Sequence, residues 1–245
     1  MPDALSVDHQ MDAGATVRPR TLDVPTSFRL GMVMLGFIPL LHLVASLTPF
    51  ALALTGRANL RTAWLAPAVL FLIPPLVVRF ATLWTPLATG MVQPGSAAFL
   101  HWWFTAQWQV VFARLPALEE LMRMVPGLYS VWLRFWGARV GGLVYWSPGV
   151  VILDRSLVRI GSRVIIGTGA RLNPHAIAPA ARGDMKLYLA PITIGDDALI
   201  GASSHLLPGC EVAAGEVTPP FRTIHAFSRF AGGRRTRQAS GERVE

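Results

Sequence analysis

The chain has one cysteine, Cys210, and one lysine, Lys186, in 245 residues, and only 15 % of it is charged. A single cysteine excludes an intramolecular disulfide and fits a reducing compartment. With lysine nearly absent, the formal net charge of +8 is carried by arginine, so compositional bias accounts for it without a polyanionic partner. No zinc-finger spacing, basic helix with heptads or RNP-like stretch occurs, which argues against nucleic-acid binding. Anionic lipid or a phosphorylated cofactor suits the basic excess better.

The longest absence is of charge. From Leu30 to Leu54 there is no Asp, Glu, Lys or Arg, and a second apolar stretch from Thr62 to Leu87 is broken only by Arg79. At about 1.5 Å per helical residue, either stretch is long enough for a hydrocarbon core of about 30 Å. The polar link Gly56–Arg61 between them predicts a helical hairpin. Pro39, Pro49, Pro67, Pro74 and Pro75 leave a re-entrant path open beside a true crossing. Arg79 is read as snorkelling to phosphate head groups or as marking a lipid-substrate site. The run follows a polar segment containing Arg18, Arg20 and Arg29, so it reads as an anchor rather than a cleaved signal, with a cytoplasmic N-terminus. Two crossings would return the rest of the chain to the cytoplasm. Ala98–Leu128, with Trp102, Trp103, Phe104, Trp108 and Phe112 among polar residues, reads as an interfacial amphipathic helix or as an ordinary packing helix. A hydrophobic share of 52 % and a mean hydropathy of +0.45 match this division.

Further on, an aliphatic residue followed by glycine recurs every six residues: Ile160-Gly161, Ile166-Gly167, Ile194-Gly195 and Ile200-Gly201. This period predicts a triangular β-solenoid in which each hexad forms one side. The inward column reads Ile160, Ile166, Leu172, Ala178, then Ile194, Ile200, Leu206 and Val212. Four residues on, the corners are small or β-branched: Val164, Ala170, Ala176, Ala198, Ser204 and Cys210. Cys210 is therefore a packing residue, not a nucleophile. An earlier run with Val140-Gly141, Trp146 and Ile152 holds the phase, which then slips by two between Ile152 and Ile160. A larger break, sixteen residues from Ala178 to Ile194, predicts a projecting loop with Pro179, Arg182, Gly183, Asp184 and Lys186. Such loops on rigid scaffolds commonly carry function. His175 stands three residues after Leu172, in an outward column with Arg163, Gly169, Asp197 and Ser203, just ahead of that loop.

From about Gly137 to Pro220 the chain resembles the hexapeptide-repeat acyltransferases, which form a left-handed parallel β-helix. Ala138-Arg139-Val140-Gly141 is similar to their opening coil. Ala190-Pro191-Ile192-Thr193-Ile194-Gly195-Asp196 is similar to the return after their loop, and Leu207-Pro208-Gly209 followed by Val212 also fits. The nearest resemblance is to polysaccharide O-acetyltransferases of the colanic-acid type and to membrane-linked relatives found at the ends of peptide-synthetase-like proteins. It implies a homotrimer, acyl-CoA (acetyl-CoA foremost) bound between solenoids, and a histidine as general base on an acceptor hydroxyl or amine.

By motif position that base is His175. Asn173 beside it is a candidate oxyanion donor, and Asp184 a candidate to orient the imidazole. The resemblance further implies that Gly201, Ala202 and Ser203 line the pantetheine arm. The basic run containing Arg234 and Arg235 is either a flexible strip for CoA phosphates or anionic lipid, or a solvated terminus. Thr218-Pro219-Pro220-Phe221 stands where the family has an asparagine–proline turn. His175, His205 and His225 are too dispersed to predict a metal site.

The expected organisation is a disordered segment 1–28, a membrane hairpin 29–90, an interfacial helical linker 91–136, the β-helix 137–217 and a basic tail 218–245. The expected protein is an inner-membrane acyltransferase facing the cytoplasm, with a glycan, lipid-linked sugar or amphiphile as acceptor. A non-catalytic trimeric membrane scaffold or regulatory subunit is the alternative.

Overall fold

The computed structural model describes residues 24–179 and 185–237. The expected disordered segment lies almost wholly outside them, as does Asp184. Helices α1 (Thr26–Leu35) and α2 (Ile38–Leu54) are followed by a 3-10 turn at Leu60–Trp64 and by α3 (Leu65–Trp84). Asn59 caps that turn, its side chain accepting from the Arg61 amide at 3.0 Å, and α2 packs on α3 as a hairpin. The apolar stretches Thr26–Leu54 and Leu60–Trp84 have mean hydropathies of 2.1 and 1.8, yet only 11 % and 17 % of their most apolar windows are buried. The polarity of α2 is inverted: its buried residues are His42 and Ser46, while Leu40, Leu41, Val44 and Leu47 face outward. Ser46 Oγ satisfies itself by donating to the His42 carbonyl at 2.7 Å.

Pro74 and Pro75 lie inside α3. Proline has no amide hydrogen, so the Phe71 carbonyl loses its usual donor at residue 75. The indole of Trp132 replaces it, its Nε1 donating to that carbonyl at 2.8 Å.

Strand β1 (Gly90–Val92) and helices α4 (Ala97–Gln107), α5 (Val110–Arg114), α6 (Ala117–Arg123) and α7 (Leu128–Phe135) come next. Of the two readings of Ala98–Leu128, the packing one describes the most buried rings. Phe112, Trp132 and Trp136 are buried in one core with the first coils, and Phe99 and Trp102 in a second core with the projecting loop.

The solenoid opens with β2 (Arg139–Val140), β3 (Tyr145–Trp146) and β4 (Val151–Ile152). A second coil has β5 (Val158–Ile160), β6 (Ile165–Ile166) and β7 (Arg171–Leu172). The chain then leaves the wall as a hairpin, β8 (His175–Pro179) and β9 (Met185–Leu189), to which β1 adds antiparallel. It returns through β10 (Ile192–Ile194), β11 (Leu199–Ile200) and β12 (His205–Leu206). Then come β13 (Glu211–Val212), a single bridge at Val217, β14 (Thr223–Ile224), β15 (Ser228–Ala231) and β16 (Arg234–Arg237). Parallel pairing stacks these into three faces, β2–β5–β10–β13–β15, β3–β6–β11 and β4–β7–β12–β14.

The six-residue clock has a mechanical cause. A Cβ added at Gly167 would lie 2.6 Å from the Ala202 amide nitrogen, and one at Gly201 would lie 2.4 Å from the Pro219 carbonyl. Coils stack too closely there for any side chain. At the corners Leu143, Arg163, Asp197, Ser203, Phe221 and Phe227 take the left-handed conformation, which is unusual for residues other than glycine. Hydrogen bonds between coils hold most of them. The Arg163 amide donates to the Gly142 carbonyl at 2.8 Å, and the Phe221 amide to the Ala202 carbonyl at 2.8 Å.

Two expectations about the solenoid are corrected. Ala178 is not an inward residue; it lies in β8 opposite Lys186, because the wall is broken earlier, where the Ala190 amide donates to the Pro174 carbonyl at 3.0 Å. The solenoid also runs past residue 217. The basic run is no flexible strip: Arg229, Arg234 and Arg235 lie in the β15–β16 hairpin. Its Gly232-Gly233 turn has φ of +60° and +69°, and its two amides donate to the Glu216 carboxylate at 2.5 and 3.1 Å.

Candidate active site

The edge where the β4–β7–β12 face meets the β5–β10–β13 face carries the densest polar chemistry. In the first coil the chain does not pass directly from β4 to β5. It makes an extra turn through Asp154 and a 3-10 segment, Arg155–Leu157, and this turn is the phase slip seen in the sequence. Asp154 sits in the left-handed region, φ 43° and ψ 63°, which aspartate tolerates better than most residues.

Arg155 bolts the turn to the helices. It is 1 % exposed; its Nε donates to Glu119 Oε1 at 3.1 Å and its Nη2 to the same oxygen, while its amide and Nη1 donate to Gln109 Oε1 at 2.9 and 3.0 Å. Its guanidinium lies 5.5–5.7 Å from the rings of Phe112, Trp132 and Trp136. Glu119 also accepts from Tyr129 Oη at 2.6 Å and from Arg123 Nη2 at 2.9 Å. Burial and the adjacent Glu119 charge push the Tyr129 phenol well above its ordinary pKa.

The Asp154 carboxylate is held from both sides. Oδ1 accepts from Trp102 Nε1 of α4 at 2.9 Å, and Oδ2 pairs with His175 Nδ1. The indole and imidazole meet edge to face with centroids 5.0 Å apart. Burial pushes the His175 pKa down, but the hydrogen bond and charge of Asp154 outweigh it, and the net shift is upward. With Nδ1–H given to the carboxylate, the lone pair of neutral His175 is on Nε2. No described residue hydrogen-bonds Nε2, and the side chain is 24 % exposed.

His175 is thus not in the outward column with Arg163, Asp197 and Ser203; those are left-handed corner residues, whereas His175 starts β8, where the chain leaves the wall. Asp154 is the partner that sequence reasoning missed. Asn173, two residues before His175, has a buried Oδ1 without a hydrogen-bond partner.

The remaining expected residues lie elsewhere. Gly201, Ala202 and Ser203 occupy the edge between β11 and β12, a different edge from that of His175. Arg234 and Arg235 lie on β16, at the far end of the face from β5. Within the one chain these groups lie on separate edges and do not form one site. No group of three or more His, Cys, Asp or Glu able to hold a metal occurs among the described residues. Cys210 is buried in the core, and burial pushes its thiol up to about 12.

No family model and no curated protein matches the sequence. Solved structures similar to this chain include a hexapeptide-repeat acetyltransferase from Vibrio cholerae complexed with acetyl coenzyme A, at 16 % identity and a TM-score of 0.38, over 56 % of this chain and 90 % of that one. A maltose O-acetyltransferase from Clostridium difficile is similar at 17 % identity and a TM-score of 0.34, over 51 % and 82 %. A galactoside acetyltransferase in complex with coenzyme A is similar at 15 % identity and a TM-score of 0.30, over 51 % and 77 %.

Proposed function

We propose that this chain is a membrane-associated acyltransferase of the hexapeptide-repeat, left-handed β-helix type. It moves an acyl group, acetyl foremost, from acyl-CoA to a hydroxyl or amine of a glycan, lipid-linked sugar or amphiphile. The observation that carries this reading is the buried Asp154 carboxylate paired with the half-buried His175 imidazole. Asp154 takes the orienting role expected of Asp184. It holds the tautomer in which Nε2 can accept a proton, and it stabilises the imidazolium that forms.

The co-substrate supplies a thioester whose acyl carbon is electrophilic and whose thiolate leaves. His175 Nε2 takes the proton of the acceptor as the acceptor oxygen or nitrogen bonds to that carbon. The same proton goes to the sulfur as the carbon–sulfur bond breaks, so the imidazole is regenerated. Asn173 stays a candidate oxyanion donor through its side-chain NH₂, its buried Oδ1 being an acceptor only.

The edge at Gly201–Ser203 suits a pantetheine arm: Pro219 and Pro220 cover Gly201, leaving the small Ala202 and Ser203 at the surface. Because that edge and the His175 edge differ, a site using both takes one from each of two neighbouring chains, the arrangement a homotrimer supplies. Membrane placement rests on the two apolar stretches and on the outward-facing leucines of α2. Lipid would cover them, with the solenoid in the cytoplasm beneath the inner membrane. The core around Trp102 packs against Met32 of α1, which keeps His175 close to the apolar helices and to an acceptor held in the bilayer.

Thermal unfolding of the detergent-solubilised protein tests co-substrate binding. Acetyl-CoA at a hundred times its Kd is expected to stabilise it by about 2.7 kcal/mol. No stabilisation at any concentration would favour the scaffold alternative.

A further inference from the structure

Beside the His175–Asp154 pair, and separate from it, a cleft of about 250 Å³ lies where α3 meets the first two coils. Its polar lining is Arg79 and Thr82 of α3, Thr89, Ser156 from the turn that also carries Asp154, and Arg159 of β5. Arg79 is the one charge in the second apolar stretch, and its Nη1 reaches to within 3.0 Å of where a Cβ would stand on Gly137. It is directed to the junction with the solenoid rather than along the apolar surface.

Two guanidiniums line one small cleft, and among the described residues no carboxylate lines it and neither guanidinium has a hydrogen-bond or ion-pair partner. Ser156 Oγ on the wall is buried without a hydrogen-bond partner as well. Like charges gathered without a counter-charge repel one another, and a buried hydroxyl left unpaired is costly. An anion with several acceptor oxygens relieves both. Guanidinium forks match the oxygens of a phosphate bidentately, and threonine hydroxyls supply further donors. The lip is apolar: Leu83 lines the cleft and Phe80 of the same helix is 69 % exposed. A phosphate held here would have a hydrocarbon-compatible surface beside it.

We infer that this cleft binds the phosphate or phosphodiester group of an anionic membrane amphiphile, whose hydrocarbon chain lies along α3 at Phe80 and Leu83. The inference rests on the membrane placement proposed above and not on acyl transfer. It gives Arg79 a ligand, and it puts that ligand's head group beside the segment Asp154–Arg159.

The test is titration of the full chain in non-ionic detergent micelles, followed by phosphorus NMR line broadening or calorimetry, without acetyl-CoA. The probes are short-chain phosphatidic acid, diacylglycerol of the same chain length, and inorganic phosphate. Phosphatidic acid is expected to bind more tightly than either of the others. Arg79→Gln and Arg159→Gln are each expected to weaken it about tenfold or more, and Arg79→Lys to restore part of the loss. Arg79 and Arg159 are both exposed, so each variant is expected to keep the fold and each carries the test. Wild-type affinity in Arg159→Gln would overturn the inference. So would equal binding of diacylglycerol, which needs no anion site, or equal binding of inorganic phosphate, which needs no amphiphile. Flotation of the Arg79→Gln, Arg159→Gln double variant with phosphatidylcholine vesicles, in which neither guanidinium is present, tests the membrane placement separately.

Discussion

Replacing Asp154 with asparagine is expected to lower acyl transfer about 10²- to 10⁴-fold while leaving the solenoid folded. The amide has nearly the shape of the carboxylate and can keep the hydrogen bond from Trp102. It carries no charge to stabilise an imidazolium, and it can present its NH₂ to His175 Nδ1, which would move the proton to Nε2, the wrong nitrogen for a base. The pH profile gives a second readout. Burial lowers the His175 pKa and Asp154 raises it, and the effect of Asp154 prevails. A general base works when neutral, so activity falls as pH drops through the raised pKa. Without the carboxylate, burial acts unopposed, and the acid limb of the profile moves to lower pH even as the plateau falls. An unchanged plateau with an unmoved acid limb would remove Asp154 from the mechanism.

The second large effect concerns stability. Arg155→Leu is expected to cost about 3–5 kcal/mol, because it leaves Glu119 charged, buried and short of its main partner. For a chain of this size that lowers the unfolding midpoint by on the order of 10 °C. Arg155→Lys should rescue little, since an ammonium cannot serve Glu119 and Gln109 together as the planar fork does. The double variant Arg155→Leu with Glu119→Gln should recover part of the loss, since the amide removes the uncompensated charge and keeps an acceptor for Tyr129. Thermal denaturation of the three variants checks this. A wild-type midpoint for Arg155→Leu would show that the Asp154 turn is held by something other than this network.

The regular part of this molecule is legible in its sequence because stacking acts locally. At the corners of Gly161, Gly167, Gly195 and Gly201 the inward aliphatic is followed by a glycine that a neighbouring coil leaves no room to replace, so Ile166-Gly167 and Ile200-Gly201 announce the coils. The site is less legible because its contacts run between coils. Asp154 and His175 are 21 residues apart, and only the stacking of one edge brings them together. The slip between Ile152 and Ile160 marked an insertion at that edge, and Asp154 within it was the signal available. Closeness in sequence to His175 is a poor guide in a solenoid, where neighbours in space are a full coil away; Asp184 itself lies outside the described residues. Ala178 was misread for a related reason. A β-hairpin alternates its side chains much as a coil does, so the clock runs on for one step after the wall has ended. The aromatic segment around Trp102 shows another limit, since tryptophan suits a head-group region and a packed core alike.

Release of free thiol from acetyl-CoA, in the presence of a membrane lipid and glycan extract, tests the central claim most directly when wild type is compared with His175→Ala. The account predicts acceptor-dependent thiol release by the wild-type chain and a loss of about 10²- to 10⁴-fold in the variant, with its folding and oligomeric state unchanged. Equal rates in the two proteins would contradict it.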